Sequence, residues 1–301
     1  MRLSLRGLLA LTFAARAASA QESTITVFAA GSLARPLRAA LDSFAARNGI
    51  RVQQENSGSL EAARKLTDLH RTPDVIALAD QAVFTQLLVP RYTAGYTQFA
   101  RNRMVLAYTA RSRFANEITS TNWYTVLLRP GVETGRADPS LDPNGYRTLL
   151  VTQLAERWYQ QPGLSHHLLD ASPPRNVRPN ETDVLALLQA GEFDYAWSYE
   201  SMAEAAGLRY LRLPPQIDLS DPNEGARYSE VWVRVAGATR SDSVVFRGEP
   251  IVYGIAVPAG APDRALGEKF VAWLTSPEGI RVLRAAKLDA LDQPRYIAGT
   301  P

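Results

Sequence analysis

What most limits the fold of this chain is an alternation of short β-branched runs with longer amphipathic ones. TITVFAA (residues 24–30) is apolar and partly β-branched, the composition of a buried strand. LARPLRAALDSFAARNG follows, with Leu33, Leu37, Leu41 and Phe44 at helical spacing and Asn48-Gly49 as a stop. RVQQE (51–55) reads as a second strand, and SGSLEAARKLTDLH (57–70) as a tight turn and a second helix. DVIALAD (74–80) and RMVLAYT (103–109) read as a third and a fourth strand. Such a series predicts an α/β fold with a parallel sheet and helices on both faces.

A second series runs from about Arg111 to Arg247. It holds helices over Tyr146–Gln160 and Glu181–Ala190 and the strand DYAWSY (194–199). EPIVYGIAVPAGAP (249–262) adds a strand, and ALGEKFVAWL and PEGIRVLRAA read as two closing helices. Two α/β series in 301 residues predict two lobes, with the last segment returning to the first.

The N-terminus reads as a secretory leader. Arg2 and Arg6 are basic, Leu8 to Ala15 is a short apolar run, and Ala18-Ser19-Ala20 is a small-residue cleavage site. Cleavage after about Ala20 starts the mature chain near Gln21. No later stretch offers about 18 uninterrupted apolar residues. The chain has no cysteine, so it uses no disulfide and carries no lipid-anchor cysteine at the cleavage site. A freely diffusing, monomeric periplasmic protein is the expectation. Losing Arg2, Arg6 and Arg16 with the leader cancels the formal charge of +3, so the composition gives no reason to expect nucleic acid as a partner.

Two helix starts share one design. AAGSL places Gly31-Ser32 after the first strand, and NSGSL places Ser57-Gly58-Ser59 after the second. Glycine lets backbone approach closely, and serine suits an N-cap. The bland reading is capping. The sharper one is an anion site, built from free N–H groups and helix dipoles at one edge of a sheet. In GRADPSLDPNGYR (135–147), Asp142-Pro143-Asn144-Gly145 is a stiff turn before a helix expected to begin near Tyr146. Asp142 either caps that helix or serves as a hard oxygen ligand to a metal centre. Tyr195 and Tyr199 stand four apart on a strand, where core packing is the simpler reading. A P-loop, a nucleophile elbow and a GxGxxG motif are all missing. That leaves a secreted hydrolase without a recognisable nucleophile–base set.

FAAGSL, SGSLEAARKL, DVIALAD, FARNRMVLAYT, GRADPSLDPNGYRTL, RPNETDVLALLQAGEFDYAWSYES and PIVYGIAVPAGAP together resemble the periplasmic tungstate/molybdate-binding proteins of ABC importers. The resemblance spans nearly the whole mature chain and is most specific to the tungstate-type branch. It implies a type II periplasmic-binding-protein fold, with two α/β lobes joined by a two-strand hinge. The implied division is a leader at 1–20, a first lobe at 21–109 plus 251–301, and a second at 110–250. It also implies a non-enzymatic protein with no cofactor. Such a protein captures a small oxyanion, molybdate or tungstate, and delivers it to a membrane permease.

By the same resemblance, Ser32 and Ser59 donate to the oxyanion from the first lobe, with the backbone N–H of Ala79. Tyr199 donates its hydroxyl from the second. Asp142 matches a carboxylate that ligates the bound tungsten or molybdenum directly. Ser198 stands where the branch carries its other carboxylate, a glutamate, and Asn144 where it carries cysteine. That departure leaves open a tetrahedral ligand held by hydrogen bonds, or another small anion such as sulfate or phosphate. A site of neutral N–H and O–H donors is the expected chemistry.

Overall fold

The computed structural model describes residues 23–236 and 243–299, so the leader at 1–20 lies outside the described residues. Thr24–Ala30 forms strand β1, Ala34–Asn48 helix α1, Arg51–Ser57 strand β2, Ser59–Thr67 helix α2 and Val75–Leu78 strand β3. Gly49 ends α1 at φ +61°, the left-handed conformation that glycine adopts without strain. Strand β1 pairs in parallel with both β2 and β3, as the alternation predicts.

The rest of this sheet is not parallel. Gly95–Arg101 (β4), Val252–Ala256 (β12) and Asp289–Ala298 (β13) complete a six-stranded sheet of order β13-β4-β12-β3-β1-β2. Strand β12 runs antiparallel to both β3 and β4, and β13 runs antiparallel to β4. Strand β12 enters after a long excursion through the other half of the molecule. No local βαβ unit therefore fixes its direction, and sequence alternation cannot report it.

RMVLAYT contains strand β5, Met104–Tyr108, but β5 lies in the second sheet. There it sits antiparallel between Tyr195–Tyr199 (β8) and Arg209–Arg212 (β9). Thr134–Ala137 (β6) and Val177–Arg178 (β7) complete the order β7-β6-β8-β5-β9. The chain thus passes between sheets at Asn102-Arg103, ahead of the expected boundary at 109. It returns after a hairpin of Trp232–Ala236 (β10) and Ser243–Arg247 (β11). The two crossings touch, because the Asn102 N–H donates to the Ile251 carbonyl at 3.3 Å. This is the two-strand hinge of a type II periplasmic-binding-protein fold.

Two helices of the second half matter for the site. Pro143–Trp158 (α3) starts three residues ahead of the expected Tyr146, because Asp142 caps it and Pro143 suits the first helical position. Glu181–Ala190 (α4) has the expected bounds, between the Asn180 cap and Gly191 at φ +89°. Arg264–Leu274 (α5) and Pro277–Ala285 (α6) follow β12. Helix α5 packs Phe270 edge-on against Phe44 of α1, ring centres 5.2 Å apart. No helix among the described residues is long and apolar enough to cross a membrane.

Candidate functional site

The two Gly-Ser starts do not cap their helices. Neither start has a side-chain cap bond. Ser59 Oγ instead accepts from the Ala79 N–H at 3.0 Å, just past the end of β3. Ser32 Oγ accepts from the Tyr253 hydroxyl at 3.0 Å. A hydroxyl that accepts one bond keeps its own proton to donate. Both serines are buried, and the capping reading gives way to two hydroxyls held by bonds they accept.

The other wall comes from the second sheet and the start of α3. Arg147 Nη1 donates to the Ala79 carbonyl at 2.9 Å and to the Tyr199 hydroxyl at 2.6 Å. Its Nη2 lies 2.9 Å from Asp80 Oδ2, yet makes no hydrogen bond of proper direction. That contact is Coulombic, and the Nη2 protons remain uncommitted. Tyr146, one residue earlier, donates its hydroxyl to the same Asp80 carboxylate. Its ring stacks on Phe246 at 4.5 Å between centres.

Asp142 does cap α3, as the simpler reading holds: its Oδ1 accepts from the Asn144 N–H at 2.9 Å. Its other oxygen reaches the Glu181 N–H at 3.2 Å, so one carboxylate ties the starts of α3 and α4 together. Glu181 Oε1 accepts from Ser198 Oγ at 2.6 Å and from the Tyr199 N–H at 2.7 Å. The single proton of the Ser198 hydroxyl thus has two acceptors within the protein, Glu181 and the Tyr199 carbonyl at 3.0 Å. Glu200 points elsewhere, pairing with Arg103 at 3.1 Å and with Arg212. All six residues named by sequence, Ser32, Ser59, Ala79, Asp142, Ser198 and Tyr199, fall in one buried region between the two sheets.

Close backbone approach makes this possible. A Cβ on Gly58 would stand 2.2 Å from the Leu141 carbonyl oxygen, so the start of α2 meets the loop before α3 with no room for a side chain. Helix starts from both sheets, at Ser59, Pro143 and Glu181, thus gather around Asp142 and direct N–H groups into one region.

Burial dominates the titration of the acids. It pushes Asp142 up to about 6, against two backbone N–H bonds and the Arg147 charge. It pushes Glu181 up to about 8, with the neighbouring Asp142 charge adding to the rise. Glu249, half-buried, is also pushed up, through desolvation and then the Asp80 charge. Burial lowers the pKa of Arg147, but Asp80, Tyr199 and Tyr146 together outweigh it and the guanidinium stays charged. At neutral pH the site therefore holds a permanent cation paired with Asp80, beside a Glu181 carboxyl that retains its proton.

Sequence reasoning missed Arg147, Asp80 and Glu181, and the expected all-neutral donor set is corrected by the first of these. A signal for Arg147 was present. It shares a helical face with Leu150, Val151 and Leu154, all buried, and a charge on an apolar face requires a buried partner. Glu181 gave no such signal, since an acid in the first turn of a helix is ordinary dipole chemistry.

Known proteins place the chain further. The profile of the bacterial extracellular solute-binding proteins matches residues 25–286. An uncharacterized solute-binding protein of Petrotoga mobilis is 41% identical over 274 residues, covering 91% of this chain and 85% of that protein. A molybdate/tungstate-binding protein, WtpA, of Thermococcus kodakarensis is 35% identical over 311 residues, covering 94% and 86%. Among solved structures, the sulfate-binding protein SubI of Mycobacterium tuberculosis superposes with a TM-score of 0.64 at 16% identity, over 90% of this chain and 88% of that one. The chain belongs to the bacterial extracellular solute-binding protein family.

Proposed function

We propose that this protein captures molybdate or tungstate between its two lobes, in the periplasm, and delivers it to the permease of an ABC importer. The observation that carries the reading is the donor cluster around Ala79. The Ser59 and Tyr199 hydroxyls and the Arg147 guanidinium meet there, buried, with protons uncommitted on each. Converging helix starts add positive potential, and a guanidinium suits a tetrahedral oxyanion. Glu181 fits beside a dianion because burial keeps it protonated and able to donate, and burial draws Asp142 toward the same form. With ligand inside, Asp142 either donates in that form or ligates the metal atom of the cargo. The relative of Thermococcus kodakarensis, named for both anions, supports the same cargo class.

Arg147 favours a second reading. A permanent cation paired with Asp80 would also suit sulfate or phosphate, which the Ser198 position leaves open. Calorimetric titration of the ligand-stripped protein decides between them. Submicromolar binding of tungstate and molybdate with sulfate and phosphate silent supports the first reading. Silence from tungstate and molybdate overturns it.

A further inference from the structure

The first turns of α3 carry two side chains with unmet polar groups. Asn144 is fully buried, and neither its Oδ1 nor its Nδ2 has a hydrogen-bond partner. Arg147, three residues on and 2% exposed, leaves Nη2 without a directed bond. An orphaned buried amide is costly and rare in a native interior. Residues three apart on a helix are neighbours on one face, so Asn144 stands beside the guanidinium that reaches Ala79 and Tyr199. It also lies next to the Asp142–Glu181 junction, where the helix starts meet. The backbone N–H of Asn144 is already used by Asp142, so only the side chain is left to meet a ligand.

We propose that Asn144 Nδ2 and Arg147 Nη2 form a ligand-contacting pair that donates to one edge of the bound oxyanion, with Asn144 a selectivity-determining residue. This rests on the oxyanion reading above. It goes beyond it by assigning a contact at a position where the resemblance supplies no donor. The pair has the spacing of one helical turn and combines a neutral with a charged donor. It holds the anion from the second lobe while Ser32 and Ser59 hold it from the first. The amide accounts for its own burial only when a ligand is present.

The test uses ligand-stripped protein, titrated with tungstate, molybdate and sulfate at pH 7. The variants are Asn144→Ala, Asn144→Asp and the near-isosteric Asn144→Leu. Asn144→Ala is expected to weaken the anion the parent binds best by about 10-fold or more. Asn144→Asp, which sets an acceptor against the anion, is expected to weaken it further. Without ligand, Asn144→Leu is expected to melt at or above the parent temperature, because it deletes an unmet amide. Affinities within about twofold of the parent would overturn the pair. So would a ligand-free melting temperature several degrees lower with affinity kept, which marks a structural amide. A parent protein that binds none of the anions fails the oxyanion reading itself, and this assignment falls with it.

Discussion

Asp142 serves as a helix cap and as a bridge to the start of α4, and both duties bear on how its variants behave. Asp142→Ala removes the cap and the bridge together. It is expected to lower stability by about 1–2 kcal/mol and to weaken tungstate binding. Thermal melts combined with titration check this, and unchanged affinity would reduce the loop to a capped turn. Glu181 makes a pH prediction. Its neighbours are Asp142, Arg147, Ser198 and Tyr199, and burial followed by Asp142 lifts its carboxyl from 4.5 to about 8. A raised pKa means the folded protein holds a proton that the unfolded chain gives up. The stabilisation is full below the unfolded value and is lost as pH climbs through about 8. The ligand-free melting temperature is therefore expected to fall from pH 5 to pH 8. Glu181→Gln should flatten that slope, and a parent-like slope in the variant would assign the titration elsewhere.

Secondary elements meet across the cleft with little clearance. Gly58 begins α2 and touches the Leu141 carbonyl in the loop before α3. Gly58→Ala leaves both sheets intact but inserts a methyl group where backbone already stands. Small-angle scattering is expected to report a larger radius of gyration, and oxyanion affinity is expected to drop about tenfold or more. A compact variant with parent affinity would show that the loop yields. At this scale the sequence was informative wherever the signal is local. Asn48-Gly49 marks a helix end, and the helix expected over Glu181–Ala190 has those bounds. It was uninformative where pairing is remote. The pattern of RMVLAYT says strand, but nothing in it says that β5 joins β8 and β9 rather than the first sheet. The serines stood out in the sequence as candidate donors, while their hydrogen-bond partners, Ala79 and Tyr253, depend on strands far away in sequence.

Across the whole molecule, the buried Arg147–Asp80 pair links α3 of the second half to the end of β3 in the first. Arg147→Met strands a buried carboxylate, which costs about 3–5 kcal/mol when one partner of such a pair is lost. Pairing it with Asp80→Asn is expected to recover most of the loss, and a double-mutant cycle of melting curves measures the coupling. Additive losses would mean that the two charges do not sense each other. This pairing was illegible because one sequence gives no distances between residues 80 and 147, and a lone arginine does not name its acid.

No single sheet supplies both walls of the site. Ser59, Ala79 and Asp80 come from one half, Asp142, Arg147 and Tyr199 from the other, and the Asn102–Ile251 contact joins the strands that connect them. If cargo sits between these halves as proposed, occupancy and outer contour are one variable. A larger partner that touches only the outside of this protein can register whether cargo is aboard without ever meeting the cargo.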